Sequence, residues 1–262
     1  MNSMSGLFKN KNVLITGASS GIGLATAEEF VEEGAFVTLI DYSEDIKEIA
    51  NKLKSKYLKI DLSMKNSYQR VSLFVKNELK KIDILINNAG VGLSKTLQET
   101  KDIEIEKIFN INLFAILKIT RELIPFFRTP GAKIVNVSSI FGISLYPSSL
   151  IYSSSKSALN TSTYHLASEL GALGINVNAV APGVIKTPMT FDRIEKDKYY
   201  NLNLIESTPL KRYGDVKEVS SVICFLSSEK SSFVNGQVIS VDGGWTNSRS
   251  LPNDSSFFKI ID

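Results

Sequence analysis

A single cysteine and a single histidine in 262 residues each close off a class of chemistry. One cysteine, Cys224, allows neither an internal disulfide nor a cysteine-based metal cluster. It lies in the apolar run Val222-Ile223-Cys224-Phe225-Leu226, where a packed thiol is expected rather than a reactive one. One histidine, His165, would have to serve any Ser-His-Asp hydrolase, and no GxSxG elbow accompanies it. Within "YHLASEL" it reads as a surface or packing residue, and no metal site is expected. Long apolar runs are also lacking, and the opening "MNSMSGLFKNKN" has no apolar core of the signal-peptide kind. A soluble, cytoplasmic protein is the expectation. Thirty basic residues face 27 acidic ones, mixed along the chain without a Lys/Arg block, so no nucleic-acid arm is expected.

Short β-branched runs recur instead: "NVLIT" (12–16), "FVTLI" (36–40), "YLKID" (57–61), "DILIN" (83–87), "KIVNV" (133–137), "INVNAV" (175–180) and "QVISV" (237–241). They are nearly continuous in apolar residues, as strands buried on both faces must be. Helix-length segments with apolar spacing of three and four separate them, at 22–33, 66–80, 103–127, 152–172 and 215–227. Such alternation predicts one α/β domain over 1–262, a Rossmann-type doubly wound parallel sheet of about seven strands flanked by helices. Residues 188–213 break the rhythm with mixed charges and aromatics and no strand character. An insertion after the sixth strand sits at the carboxyl end of the sheet, where such folds bind ligands, so a lid is expected there. The tail 247–262 follows the last strand, either frayed or pinned by Phe257 and Phe258.

Directly after the first strand comes Thr16-Gly17-Ala18-Ser19-Ser20-Gly21-Ile22-Gly23, then the helical "LATAEEFVEEG". Glycines allow a tight turn and close backbone approach, and free N–H groups at a helix start attract phosphate. The spacing is GxxxGxG, not the GxGxxG of the usual dinucleotide fingerprint. Asp41, 18 residues beyond Gly23 at the end of the second strand, is placed to accept hydrogen bonds from ribose hydroxyls. No Walker lysine follows the loop, which disfavours an ATPase. In "LIDYSED", Glu44 and Asp45 add negative charge beside Asp41, while Ser20 and Tyr42 offer no cation. NAD is therefore expected over NADP.

The stretch "IYSSSK" places Tyr152 and Lys156 four residues apart, on one face of a helix. Taken with TGxxxGIG after strand one and "NNAG" at 87–90 after strand four, it resembles the short-chain dehydrogenase/reductase family over about residues 8 to 245. The resemblance implies a catalytic set of Asn112, Ser139, Tyr152 and Lys156. Spacing to Tyr152 favours Ser139 over Ser138, and the "NL" after Asn112 favours it over Asn110. It further implies that Asp61 and Leu62 read adenine and that Asn88, Ala89 and Gly90 lie beside the cofactor. Pro182 and Gly183 open the segment "PGVIKT", whose Ile185 and Thr187 then meet the nicotinamide carboxamide. Asp61 is open to a second reading as a turn cap.

On that reading Tyr152 acts as general acid in one direction and general base in the other, its pKa lowered by Lys156. Ser139 steadies the developing alkoxide, and Asn112 supports a water linking Lys156 to solvent. The expected activity is hydride transfer between NAD(H) and a secondary alcohol or ketone. The alternatives are an NADP-dependent 3-oxoacyl-carrier-protein reductase and a nucleotide-binding redox sensor without turnover. Substrate walls are expected from Val91 to Ser94, from Ile140 to Tyr146, and from Met189, Phe191, Tyr199 and Tyr200. The resemblance also implies a homotetramer, with a dimer as alternative.

Overall fold

A computed structural model describes residues 6–247, so the tail with Phe257 and Phe258 lies outside the described residues. Seven parallel strands form one sheet in the order β3-β2-β1-β4-β5-β6-β7. They are β1 (Asn12–Thr16), β2 (Phe36–Asp41), β3 (Lys56–Lys59), β4 (Ile84–Asn87), β5 (Ala132–Val137), β6 (Ile175–Pro182) and β7 (Val238–Val241). Every run read as a strand is one, within two residues at each end. The order reverses between β1 and β4, so a crevice opens beyond their carboxyl ends.

Side-chain alternation along each strand divides the core between two faces. On β1, Val13 and Ile15 join Phe30 of α1 (Gly21–Glu32) and Ile223 of α9 (Val216–Ser227). Leu14 points the other way, into a cluster with Val71 of α3 (Ser67–Phe74) and Ile119 of α5 (Ile116–Leu123). Leu170 of α6 (Leu150–Gly171) completes that side. Burying each such side chain stabilises by about 1.5–3 kcal/mol. The short α2 (Ile46–Lys52), absent from the helix-length segments of the sequence, tucks Ile46 and Ala50 beneath β2.

Two expected helices are not continuous. The segment read as 103–127 divides into α4 (Asp102–Phe109), a π-helical turn Asn110–Ala115, and α5. The wide turn goes with a side-chain demand: Asn112 accepts from the Val91 N–H at 2.9 Å and donates to the Val91 carbonyl at 3.0 Å. Likewise 66–80 ends in a π-helical turn, Val75–Leu79, closed by Lys80 at φ 64°.

The insertion after β6 carries α7 (Phe191–Lys196), α8 (Lys198–Tyr200) and a π-helical turn Asn201–Glu206. Ile194, Tyr200 and Leu204 pack with Ile140, Val184 and Trp245 in a cluster of their own. The insertion is therefore a packed cap over the carboxyl end of the sheet. No helix among the described residues is long and apolar enough to cross a membrane.

Candidate active site

The loop after β1 is tied to its neighbours on three sides. Thr16 Oγ1 accepts from the N–H groups of Asn88 and Ala89, both at 3.1 Å. Asn88 Nδ2 donates to the carbonyls of Thr16 and Gly17 at 3.1 and 2.8 Å. Asp41 Oδ2 accepts from the Ser19 N–H at 3.0 Å. Gly17 holds φ +66°, and a Cβ there would stand 2.7 Å from Ala89 Cα. At Gly23 a Cβ would stand 2.1 Å from the Gly17 carbonyl oxygen. Ser20 is extended and makes no side-chain cap, so the first-turn amides of α1 remain donors for an anion.

A cavity of about 790 Å³ runs from this loop along the carboxyl ends of the strands. Gly17, Ser19, Ser20, Gly21 and Ile22 line its start, with Asp41, Asp61 and Leu62 at one end. Asn88, Ala89 and Gly90 form its floor, and Ser139, Tyr152 and Lys156 stand at the other end. Pro182, Gly183, Ile185 and Thr187 close the side beneath the insertion. Gly23 and Asn112 lie behind this lining, Gly23 as the loop's packing point and Asn112 fully buried beside Gly90.

Near β2, Asp41 is 8% exposed, and its Oδ1 accepts from the N–H groups of Tyr42 and Ser43 at 2.7 and 3.1 Å. Asp45 also lines the cavity, whereas Glu44 is drawn into an ion pair with Lys59. Asp61 does cap a turn, accepting from the Ser63 N–H at 2.8 Å, and still borders the cavity.

At the other end, Ser138 and Ser139 separate cleanly. The Ser138 hydroxyl is buried against Asn160 Oδ1 at 2.6 Å. The Ser139 hydroxyl accepts from the Phe141 N–H and lies beside the Tyr152 phenol, whose anion it favours. Asn112 reaches Ser155 Oγ at 3.2 Å, and Ser155 Oγ donates to the Tyr152 carbonyl at 2.7 Å. Asn112 thus braces Val91 and the tyrosine's own turn of helix, a link through Ser155 that the YxxxK spacing does not disclose.

The expected electrostatics of Tyr152 and Lys156 need correction. Burial pushes the phenol up from its ordinary value, and the opposing pull comes from Ser139, not from Lys156. The Lys156 ammonium donates to the Val137 carbonyl at 2.8 Å and lies 5.9 Å from the centre of the Tyr152 ring. With only that neutral acceptor and 3% exposure, its own pKa is pushed down to about 8 by burial.

Among the lining residues that escaped the sequence reading are Lys107 and Ile111. They lie four apart just before Asn112, and that helical spacing is the signal that points to them. His165 is exposed on α6, and the Cys224 thiol is buried, with its pKa raised by burial.

The family described as Enoyl-(acyl carrier protein) reductase matches residues 17–246. The chain is 38% identical to a 3-oxoacyl-(acyl-carrier-protein) reductase of Thermotoga maritima, over 90% of this chain and 98% of that protein. It is 36% identical to a cyclopentanol dehydrogenase of a Comamonas species, over 92% and 99% of the two chains. The crystal structure of a short-chain dehydrogenase/reductase, glucose/ribitol dehydrogenase, from Brucella melitensis superposes with a TM-score of 0.85 at 32% identity, covering 92% of this chain and 99% of that one. The chain belongs to the short-chain dehydrogenase/reductase family, NAD(P)-dependent oxidoreductases acting on alcohol and ketone groups.

Proposed function

We propose that this chain is an NAD-dependent oxidoreductase of a secondary alcohol or ketone, with Tyr152 as general acid and base. The carrying observation is that Ser139, Tyr152 and Lys156 line the same cavity as the Gly17–Gly21 loop and Asp41. The loop amides suit a diphosphate, Asp41 suits ribose hydroxyls, and Asp61 with Leu62 suits an adenine edge. Ile185 and Thr187 border the opposite side, where a carboxamide would meet them. A nicotinamide cofactor, when bound, supplies or accepts the hydride.

The chain's own residues then handle the proton. Ser139 donates to the carbonyl oxygen as negative charge gathers there. Tyr152 delivers its hydroxyl proton to that oxygen from the protonated form that a phenol holds at neutral pH, the form that reduction needs. In oxidation the phenolate must form first, so the oxidative rate climbs with pH. In this reading Lys156 would hold the ribose of the bound cofactor, and Asn112 would support a water linking Lys156 to solvent so that the proton is replenished.

NAD is preferred over NADP because three carboxylates, Asp41, Asp45 and Asp61, border the cavity, against two lining cations, Lys107 and Lys156. The nearby Lys59 is occupied by Glu44. A homotetramer fits the exposed Phe114 and Tyr164 on the outer helices, with a dimer as the alternative. Cytoplasmic residence belongs to the same reading, and light scattering decides the oligomer.

The test of function is absorbance at 340 nm across a panel of secondary alcohols and ketones with each cofactor. Turnover with NAD(H) supports the assignment. Nucleotide binding without turnover on any of them favours the sensor, and turnover confined to NADPH and acyl thioesters favours a 3-oxoacyl reductase.

A further inference from the structure

The segment that follows β6 bridges the cavity between two glycines. On one side, a Cβ built on Gly21 of the phosphate loop would stand 3.3 Å from Thr187 Cγ2 and 3.9 Å from Pro188 Cδ. On the other, a Cβ on Gly92 would stand 3.6 Å from Met189 Sδ and 3.9 Å from its Cγ. Beyond its own chain neighbours it would meet no other described atom within 4 Å. Gly21, Gly92, Thr187, Pro188 and Met189 all line the cavity that also holds Ser139, Tyr152 and Lys156. Three consecutive residues therefore form a strap from the phosphate loop to the segment after "NNAG".

Thr190 ties that strap into one piece. Its Oγ1 donates to the Ile185 carbonyl at 2.5 Å and accepts from the Thr187 N–H at 3.1 Å. The Thr187 carbonyl accepts in return from the N–H groups of Thr190 and Phe191, at 3.1 and 2.9 Å. A displacement of Met189 is thereby passed to Thr187 at the cavity wall.

The strap also exposes a thioether: Met189 is 57% exposed. Among the described residues the other sulfur side chains are Met64 and Cys224, and Met1 and Met4 lie outside them. Met64, 58% exposed, sits in the turn after Asp61 and does not line the cavity. Cys224 is 4% exposed, its thiol held protonated by burial, and is shielded from oxidants. Met189 is thus the accessible sulfur that touches the cavity.

We infer that Met189 is an oxidation site that controls how tightly the cavity holds its nucleotide, a reading that rests on this cavity being the NAD site. The oxidant is a peroxide. Its O–O bond breaks, one oxygen bonds to Sδ, sulfur is oxidised by two electrons, and the other oxygen leaves as water or an alcohol. The sulfoxide puts a dipole and a new acceptor oxygen where an apolar thioether rested beside Gly92. The strap loses that contact, Thr187 moves with it, and the nucleotide dissociates faster. Sulfoxide reductases reverse the change.

The test applies hydrogen peroxide to the wild type, Met189→Leu and Met64→Leu. Peptide mass spectrometry locates the sulfoxide, and fluorescence titration reads NADH affinity. In the wild type the sulfoxide is expected at Met189, with the NADH Kd raised roughly threefold to tenfold, as loss of a partly buried apolar contact predicts. Met189→Leu is expected to keep its own untreated affinity, and Met64→Leu to lose affinity as the wild type does. Methionine sulfoxide reductases restore the treated wild type. Complete oxidation of Met189 with an unchanged Kd overturns the inference. So does a loss of affinity that Met189→Leu does not prevent, or a Met189 that stays unoxidised while Met64 converts. Turnover enters neither readout, so failure of Tyr152 as acid and base leaves this inference standing. Parallel titration with NADPH separates the cofactor question: tighter NADPH binding counts against the NAD preference, while the shift on oxidation still reads Met189.

Discussion

Asp41→Asn removes one charge from the ribose end of the cavity while keeping the side chain's shape. The Asn carbonyl still accepts from Tyr42 and Ser43, but its amide turns a donor toward the Ser19 N–H, where Asp41 Oδ2 now accepts at 3.0 Å. Losing that charge-assisted bond costs about 1.5–3 kcal/mol of stability, which thermal unfolding reads. The electrostatic effect on selectivity is separate. A 2′-phosphate some 5 Å from the carboxylate meets about 3 kcal/mol of repulsion at an effective dielectric near 20. Screening over roughly 8 Å in physiological salt leaves a fraction of that, on the order of 1 kcal/mol, because the site opens to solvent. Asp45 and Asp61 persist, so repulsion is reduced rather than abolished. The kcat/KM ratio of NADP to NAD is expected to rise about fivefold or more, and the gain to shrink at high salt. Steady-state kinetics with both cofactors on one alcohol, at two ionic strengths, measure it. A ratio unmoved in Asp41→Asn would refute the reasoning, since the charge would then lie outside the cofactor's reach.

Two further outcomes follow from the loop and the lysine. Gly23→Ala places a Cβ 2.1 Å from the Gly17 carbonyl oxygen and 2.4 Å from Asn88 Nδ2, so the loop must shift. Stability should fall by about 1–3 kcal/mol together with cofactor affinity, whereas Gly171→Ala, whose Cβ meets only Asn235 Nδ2 at 3.5 Å, should be neutral or stabilising. Lys156 has a folded pKa of about 8 against an ordinary 10.5, so between these values the unfolded chain binds the extra proton and stability rises with pH. Without cofactor, wild type should gain on the order of 2 kcal/mol relative to Lys156→Met from pH 8 to 10; equal slopes in denaturant titrations would count against the buried, unpaired ammonium.

The sheet was legible because strands buried on both faces leave apolar runs that little else mimics, as in "NVLIT" and "KIVNV". The residues of the loop, of "NNAG" and of YxxxK were legible because each motif is local, and the fold gathers them into one cavity. What escaped depended on distant partners. The π-helical turn at Asn110–Ala115 goes with Asn112 reaching across to Val91, 21 residues earlier. The ammonium of Lys156 donates to the Val137 carbonyl, 19 residues away, and burial lowers its pKa, neither of which the spacing of Tyr and Lys reveals. In the insertion, α7 and α8 are too short to show a period, and Ile194 acquires its setting only when α7 packs against Ile140 and Trp245.

Tyr152→Phe tests the central claim most directly, because it deletes one hydroxyl from a ring otherwise held by Phe141 and the α6 backbone. Loss of acid–base catalysis predicts a fall in turnover of about 10²–10⁴-fold. Nucleotide binding should persist nearly unchanged, since the loop, Asp41 and the Ile185–Thr187 segment are untouched. Turnover by absorbance at 340 nm and NADH affinity by fluorescence, measured on the same preparation, give both halves of the answer. Near-wild-type turnover in Tyr152→Phe would contradict the assignment of the proton to this residue.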